Sequence, residues 1–347
     1  MPTVSAALIV KNEEQYLHNC LKSIRQHVDE IVIVDTGSTD SSIDIAGSFG
    51  AQLSHYQWND DFSAARNIGL EACKTDWILY IDADEQMVLD QPGRLSHYIE
   101  EHWIGAYVQF RPKSGYTRYK LPRLFRNDHR LRFVGNIHET ILPTLTSISE
   151  LEKRPIGETR VKLNHFGYEN FGIEKHFRNL PLLELATRNN SSRTFCWYHL
   201  AETLYALGRK ESAIEACYDG LRTSSHDQSM RTRADRSSIF HLLAKIQIEC
   251  EDDPSETLDL GFKENPRNFG LIYVAAIWHL RRGEFESSLL YASKLLESAD
   301  AERTSPFVAY DSNIFFRLPL QIKLASLVNL GMFAEAATIT QMLATLA

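Results

Sequence analysis

The stretch Trp77-Ile78-Leu79-Tyr80-Ile81-Asp82-Ala83-Asp84-Glu85 decides the fold class. Its first five residues are typical of a short strand that is buried in a parallel sheet. The run then ends abruptly in Asp82, Asp84 and Glu85. Open α/β folds bind ligands at the carboxyl edge of the sheet, and two carboxylates there suit one hard divalent cation that also takes phosphate oxygens. We therefore predict a cation site at Asp82 and Asp84, with a solvated turn at the strand end as the alternative.

Three strand–helix units precede this stretch. The apolar runs predict strands at 4–10, 31–35 and 51–56, and helices follow each of them, the last over 62–74. The turn at 36–40 contains Gly37, which permits close backbone approach, and Ser, Thr and Asp residues that can cap the next helix. Strands and helices that alternate in this way predict a parallel sheet with helices on both faces.

Residues 4 to about 170 resemble the catalytic domain of a family 2 glycosyltransferase, which has a GT-A fold. The matching segments are Lys11-Asn12-Glu13-Glu14, the turn 34–40, Ala65-Arg66-Asn67 and Asp82-Ala83-Asp84. The resemblance implies an enzyme that transfers a sugar from a nucleotide diphosphate donor with inversion, using Mg²⁺ or Mn²⁺. A dinucleotide-binding dehydrogenase has the same fold class, but the first strand–helix turn lacks the G-x-G-x-x-G pattern.

The resemblance also implies which residues bind the donor. The nucleobase and ribose would contact the edge formed by Lys11, Asn12 and Glu13, together with Asp35. A carboxylate accepts the imide N–H of uracil, which favours a UDP sugar.

The diphosphate and the cation are assigned in the same way. Arg66 would lie near the diphosphate, Asp82 would contact ribose and metal, and Asp84 would bind the metal directly. From the residues alone, Arg66 has an alternative, which is to pair with Asp61 or Glu71 on its own helix. Glu85 stands where Asp is commoner in the family, and we leave it out of the predicted ligand set.

Three later segments resemble a subgroup of this family that acts on lipopolysaccharide core and on bacteriocin peptides. They are Arg123-Leu124-Phe125-Arg126, Ile137-His138-Glu139 and Asn164-His165-Phe166-Gly167-Tyr168. Inverting transfer needs a base for the acceptor, and a carboxylate suits that task. Glu139 is the predicted base, with His138 orienting it or binding acceptor.

The same segments supply three further candidates. His165 is predicted to complete the cation's coordination, and Arg123 and Arg126 to clamp phosphate or substrate. Each has a structural alternative: a satisfied His138–Glu139 pair at a strand end, a core histidine at 165, and a solvated strand face for the two arginines.

The composition is that of a two-domain enzyme. The chain has 347 residues and a net charge of -8, which argues against a general nucleic-acid binder. No apolar stretch is long enough for a transmembrane segment, and the N-terminus lacks the basic region of a signal peptide. Five scattered cysteines without C-x-x-C spacing predict reduced thiols and a cytoplasmic protein.

From about residue 172 the pattern is helical and follows the spacing of tetratricopeptide repeats. The signature positions of the first predicted repeat, which starts near Thr194, are Trp197, Leu200, Ala201, Leu204, Gly208 and Ala213. Further repeats are predicted to start near Asp235 and at Phe269, and a last one is anchored by 330–336. A generic helical bundle is the alternative. Polar (223–236) and aromatic (299–316) linkers interrupt the array, and the aromatic one is either a core plug or an exposed docking patch.

The whole chain is therefore predicted to be a GT-A domain over 1–171 followed by a helical repeat domain over 172–347. This order resembles the S- and O-glycosyltransferases of ribosomally made peptides, of the sublancin-synthesis type. It implies a UDP-sugar donor, a Cys, Ser or Thr side chain as acceptor, and a possible homodimer through the helical domain. A lipopolysaccharide-type or other glycan acceptor is the alternative. A non-catalytic repeat scaffold is the hypothesis from another class, and the intact Asp82, Asp84, Glu139 and His165 argue against it.

Overall fold

A computed structural model describes residues 1–167, 172–223, 230–298 and 307–346. The chain divides into two compact units. The first comprises Met1–Ser114 and Arg118–Gly172, and the second comprises Gly115–Thr117 and Ile173–Ala347. The three residues at 115–117 belong to the helical unit because the backbone and side chain of Thr117 hydrogen-bond the backbone of Tyr310.

The first half of the α/β unit has the predicted alternation. Its strands are β1 (Val4–Val10), β2 (Glu30–Asp35), β3 (Gln52–His55) and β4 (Trp77–Tyr80). Its helices are α1 (Glu14–Ile24), α2 (Ser42–Ser48) and α3 (Phe62–Ala72). The four strands are parallel in the order β3-β2-β1-β4. All of them therefore direct their carboxyl ends to one edge, where the predicted site residues lie.

The second half of the sheet, for which the sequence predicted no strand direction, is partly antiparallel. It contains β5 (Glu85–Val88), β6 (Gly105–Arg111), β7 (Tyr119–Arg126) and β8 (Ile156–His165), with α4 (Leu142–Glu152) before β8. β7 runs antiparallel to β4, so the full order is β3-β2-β1-β4-β7-β6-β8-β5 in a mixed sheet. The sequence left this open because short strands joined by loops carry no periodic signal for direction. The pairing of β5 with β8 places Glu85 opposite His165.

Apolar side chains cover both faces of this sheet. One cluster packs α1 against β1, β2 and β4, and it includes Leu17, Leu21 and Trp77. The other packs α3 and α4 against the opposite face, around Leu70, Phe125 and Leu145. A sheet covered on both faces holds its strand ends rigidly, and this rigidity positions the polar side chains at the carboxyl edge.

The second unit is built from helices. After α5 (Ile173–Asn189) the helices are α6 (Thr194–Ala206), α7 (Lys210–Thr223), α8 (Met230–Glu249), α9 (Ser255–Glu264), α10 (Phe269–Arg281), α11 (Phe285–Glu297), α12 (Arg317–Asn329) and α13 (Phe333–Thr345). The last eight form four consecutive helix pairs. The predicted fold class, an α/β domain followed by a helical repeat domain, is confirmed.

The turns inside these helix pairs share one conformation. Gly208, Gly283 and Gly331 have φ values of 75°, 73° and 72°, and Glu251 in the remaining turn has a φ of 61°. Glycine adopts this left-handed conformation without the steric penalty of a Cβ atom, which makes it the usual residue after a helix C-terminus. The recurring turn supports repeats over a generic bundle. The predicted starts at Thr194 and Phe269 coincide with α6 and α10, whereas α8 begins at Met230, before the predicted start at Asp235.

The two predicted linkers have different outcomes. Residues 224–229 of the polar linker and 299–306 of the aromatic one lie outside the described residues. The polar linker was predicted too long, since α8 already includes 230–236. In the aromatic linker, Tyr310 and Phe315 are buried against Phe269, as a core plug requires, while Phe316 is 41% exposed.

Two further predictions concern the chain as a whole. The five cysteines are all free thiols, and four of them are buried. Within the described ranges, no helix has both the length and the apolar character needed to cross a membrane.

Candidate active site

The first two strand–helix turns are joined by hydrogen bonds at the sheet edge. The Asn12 backbone N–H donates to Ser38, and the Asn12 side-chain oxygen accepts from the Thr39 backbone at 2.7 Å. Asn12 has a φ of 55°, a conformation that asparagine tolerates better than most residues. The next backbone N–H, of Glu13, donates to Ser42 at 2.8 Å. The predicted nucleobase edge is therefore a rigid double turn, with the Lys11 side chain exposed beside it.

Asp35 occupies the end of β2 in the same double turn. Its carboxylate accepts the backbone N–H groups of Gly37 and Ser38 at 3.0–3.1 Å and lies 3.4 Å from His55. Partial burial opposes ionisation, but these hydrogen bonds outweigh it and lower the pKa of the Asp35 carboxyl. An ionised carboxylate held in this way is a ready acceptor for a ligand N–H or hydroxyl.

Asp82 lies between two arginines. Its Oδ1 accepts from Arg66 at 2.6 Å, and its Oδ2 accepts from both terminal nitrogens of Arg123 at 3.2 Å. Burial opposes ionisation of Asp82, yet the two guanidinium groups hold the pKa of its carboxyl well below the usual range. The predicted diphosphate residue Arg66 and the predicted metal ligand Asp82 are thus in direct contact. The alternative partners of Arg66 are engaged elsewhere: Asp61 caps α3, and Glu71 pairs with Arg132.

Glu85 extends this network below Asp82 and was missing from the predicted site. Its side chain is fully buried, accepts Arg123 at 2.7 Å and accepts the Asp82 backbone N–H at 3.1 Å. Burial raises the pKa of its carboxyl, and Arg123 opposes that rise. Glu85 therefore anchors the acidic turn and Arg123, and it does not face a cation. The signal in the sequence was that Glu85 stands where Asp is commoner in the family. The longer Glu side chain reaches back to Arg123 on β7.

The predicted base, Glu139, contacts the other side of Arg66. Arg66 Nε donates to Glu139 Oε1, so this guanidinium bridges Asp82 and Glu139. Two sets of hydrogen bonds fix the segment that carries Glu139. The Asn67 side chain donates to the backbone carbonyl of Phe133 and accepts its N–H, and the Phe62 N–H donates to the Asn136 carbonyl. Asn67 thus has a positioning role that the sequence motif did not reveal.

His138 sits next to the predicted base in an unusual backbone conformation. Its φ is 51°, which is uncommon for a residue other than glycine. Such a conformation persists only where neighbouring structure enforces it, and it is frequent at functional sites. The predicted catalytic pair therefore lies on a constrained loop at the same sheet edge as the donor residues.

Asp84 and His165 form the second acidic arm of the site. Asp84 Oδ2 is 3.1 Å from His165 Nε2, and the opposite ring nitrogen, Nδ1, is 3.1 Å from the Pro112 carbonyl. A carboxylate and an imidazole nitrogen that meet in this way are ligand types that suit a shared cation, and a backbone carbonyl behind the ring is the common support of metal-binding histidines. The residues present therefore fit a divalent cation.

Gly167 makes room for Asp84. A Cβ atom at this position would overlap the Asp84 carboxylate, so a larger residue would displace the side chain. Tyr168, the last residue of the predicted His165 segment, lies outside the described residues. The sequence signal for Gly167 was its place in the Asn-His-Phe-Gly-Tyr segment, although nothing in that segment indicated contact with Asp84.

The acidic turn also affects Glu13. Burial, with the charges of Asp84 and Asp82, raises the pKa of Glu13 to about 7. Among the described residues, no three His, Cys, Asp or Glu side chains converge closely enough to hold a metal alone. A cation at Asp84 and His165 would therefore take further oxygens from a bound ligand, as Mg²⁺ commonly does.

Arg126 does not belong to the site, and its predicted role as a clamp is wrong. Its guanidinium lies over the Trp77 ring and donates to the backbone carbonyls of Glu101 and Trp103. Arg123, three residues earlier on the same strand, enters the site. The two arginines extend from different points along β7, and the register between β7 and β4 brings only Arg123 to the site.

Sequence comparison agrees with this geometry. Residues 5–150 match the family model described as glycosyl transferase family 2. These residues form a family 2 glycosyltransferase domain. The predicted resemblance is thereby confirmed for this part of the chain, which contains every predicted site residue except His165.

Two curated relatives extend the match. A TPR repeat-containing protein of Synechococcus elongatus is 37% identical over 173 residues, which are 48% of this chain and 43% of that protein. The glycosyltransferase SunS of Bacillus phage SPbeta is 27% identical over 227 residues, which are 62% of this chain and 52% of SunS. The chain thus spans about half the length of these relatives.

Solved structures give a weaker likeness. Glucosyl-3-phosphoglycerate synthase of Mycobacterium tuberculosis, solved with Mn²⁺ and UDP-glucose, is 17% identical with a TM-score of 0.38. The match covers 54% of this chain and 79% of that one. This score is low, and the family assignment is based on the sequence match.

Proposed function

We propose that the protein is a metal-dependent inverting glycosyltransferase that moves a hexose from a UDP-sugar to a Cys, Ser or Thr side chain of a peptide or protein. The observation that carries this proposal is the convergence of Asp82, Asp84, His165, Arg66 and Glu139 at one sheet edge of a family 2 domain. The intact network argues against a non-catalytic scaffold.

The donor is assigned to the double turn and the acidic turn. Asp35 accepts the uracil imide N–H, and the edge at Lys11, Asn12 and Glu13 borders the nucleoside. Asp84 and His165, joined by Asp82, would hold Mg²⁺ or Mn²⁺, and the cation, when bound, stabilises the charge of the departing diphosphate. Arg66 and Arg123 supply guanidinium groups, which pair with phosphate oxygens bidentately.

The acceptor reaction is assigned to the constrained loop. Glu139 takes the proton from the acceptor thiol or hydroxyl as the acceptor attacks the anomeric carbon, and the C–O bond to the diphosphate breaks on the opposite face. His138 orients Glu139 or contacts the acceptor. Its strained backbone supports this role, because a rigid loop maintains the geometry that proton transfer requires.

A peptide acceptor is favoured by the similarity to SunS and by the helical unit. A flexible peptide needs an extended docking surface, which stacked helix pairs supply. We further propose the residue boundary 171/172 between catalytic and repeat domains, a homodimer formed through the repeats, and a cytoplasmic location. A lipopolysaccharide-type glycan acceptor is the second candidate, because the predicted subgroup also includes enzymes of that kind.

Donor hydrolysis tests the reaction class without knowledge of the acceptor. The full chain is incubated with UDP-glucose, UDP-galactose and UDP-N-acetylglucosamine, with Mn²⁺ or with EDTA, and released UDP is measured. We expect release of UDP from at least one donor, dependent on Mn²⁺. Asp90→Asn is the control for variants in which a carboxylate of the site is changed. Asp90 pairs with Tyr98 away from the site, so this variant should release UDP as the wild type does. Absence of both UDP binding and UDP release in the folded protein would contradict the proposal.

A further inference from the structure

The charged side chains at the sheet edge are already paired with one another within the protein. The chain of pairs runs from Glu139 to Arg66, then to Asp82, then to Arg123 and Glu85. Every carboxylate in this chain accepts a guanidinium hydrogen bond. Asp84, the neighbouring carboxylate, instead faces His165. The two predicted cation ligands therefore have different partners: Asp84 contacts one imidazole ring, whereas Asp82 is bound to two guanidinium groups.

We propose that Arg66 is a counter-ion that must leave Asp82 before the cation can bind there, and that the donor diphosphate draws it away. This inference rests on the proposed function, since it assumes a cation and a nucleotide diphosphate at this edge. A cation that approaches Asp82 meets the guanidinium 2.6 Å from Oδ1. Phosphate oxygens offer Arg66 an equivalent bidentate partner, after which Oδ1 faces the cation.

Arg66 rather than Arg123 is the residue that exchanges partners. Arg123 is held by Glu85, which is fully buried, through a hydrogen bond of 2.7 Å. Its hydrogen bonds to Asp82 are longer, 3.2 Å against 2.6 Å for Arg66, so Arg66 is the closer obstacle to a cation at Asp82. The second partner of Arg66 is Glu139, on the loop assigned to the acceptor. Arg66 thus connects two carboxylates with separate tasks, whereas Arg123 secures the turn.

Two consequences follow from such an exchange. The diphosphate draws Arg66 away from Asp82, which opens this carboxylate to the cation. The cation in turn offsets the negative charge of the diphosphate. The two ligands therefore strengthen each other's binding, and this coupling is reciprocal. The departure of Arg66 also releases Oε1 of Glu139, which then becomes available to the acceptor proton. Donor binding would therefore precede productive acceptor binding.

Calorimetric titration of Mn²⁺ into the full chain tests the exchange, with no nucleotide, with UDP, and with uridine, which lacks the diphosphate. In the wild type we expect UDP to tighten Mn²⁺ binding at least about 10-fold and uridine to have no effect. Arg66→Gln should tighten the binding of Mn²⁺ alone about 10-fold, the value of one charge-assisted hydrogen bond. In Arg66→Gln, the factor by which UDP tightens Mn²⁺ binding should be about 10-fold smaller than in the wild type. Arg132→Gln, which removes a positive charge paired with Glu71 at the far side of α3, should leave both values unchanged.

The outcomes separate this inference from the proposed function. If the wild type fails to bind Mn²⁺ even with UDP, the proposed function is contradicted. If the wild type binds Mn²⁺ and UDP, but Arg66→Gln binds Mn²⁺ with the same or a lower affinity than the wild type, only the exchange is wrong. Should Arg66→Gln fail to fold, Glu139→Gln is the second variant. It leaves Asp82 as the sole carboxylate partner of Arg66, so Mn²⁺ alone should bind at least about 3-fold more weakly; tighter or unchanged binding overturns the inference.

Discussion

The carboxyl edge of the sheet and the helix pairs of the second unit are stabilised in opposite ways. At the sheet edge, one network joins five charged side chains from four segments of the chain, namely Arg66, Asp82, Glu85, Arg123 and Glu139. In the helical unit, apolar clusters and left-handed turns recur at regular intervals. A change in the first region should therefore alter chemistry, and a change in the second should alter stability.

The largest effect is expected at the cation site. Asp84→Ala removes the carboxylate that faces His165 and should abolish Mn²⁺-dependent UDP release, while thermal unfolding stays as in the wild type. The assay of released UDP, a calorimetric titration of UDP with and without Mn²⁺, and a melting curve are recorded on the same sample. Unchanged UDP affinity with and without Mn²⁺ in the wild type would contradict the assignment.

The next effect concerns the base. Glu139→Gln keeps the shape and the hydrogen bond from Arg66 but cannot take a proton, so transfer should fall by about 100-fold or more. Binding of UDP should persist, which a fluorescence or calorimetric titration would reveal. Transfer at the wild-type rate would move the role to His138.

A smaller effect is expected from a substitution that fills the space beside the Asp84 carboxylate. Gly167→Ala places a methyl group on the Asp84 carboxylate, so Mn²⁺ affinity in the presence of UDP should fall by about 10-fold. Gly172→Ala is the matched control, because a Cβ atom there meets nothing within 4 Å. Equal affinities in the two variants would show that Asp84 adjusts without cost.

In the helical unit, the test is a turn. Gly208→Ala forces a residue with a Cβ atom into a φ of 75°, which costs about 1 kcal/mol. The melting temperature should fall by several degrees, whereas UDP release with Mn²⁺ should be unaffected. Loss of UDP release at full stability would break the proposed separation between the two regions.

The last prediction is a pH dependence in the helical unit. Burial, with the nearby charge of Lys245, lowers the pKa of His241 from 6.5 to about 4. The unfolded chain takes up this proton below about pH 6.5 and the folded chain does not, so stability is lost as the pH falls from 6.5 towards 4. His241→Gln should reduce the drop in melting temperature between pH 7.5 and pH 5. An identical drop in both proteins would show that other groups dominate.

The site was predictable to the extent that its residues belong to short motifs. The structure brings five such residues to one sheet edge: Asp82, Asp84, Arg66, Glu139 and His165. Glu85 and Asn67 were missed as positioning residues, because their partners, Arg123 and Phe133, are distant in sequence. Arg126 was included wrongly, since the sequence does not specify which strand residues face the site.

The sequence by itself determined the order of strands and helices, the repeat periodicity and the family. These properties depend on local patterns of apolar residues and on short motifs, which a linear chain carries directly. The tertiary structure decided the antiparallel position of β7 and the pairing of Arg66 with both Asp82 and Glu139. It also placed Gly167 beside Asp84. Each of these depends on which distant segments meet, and buried charges select their partners only after the sheet has brought them within hydrogen-bonding distance.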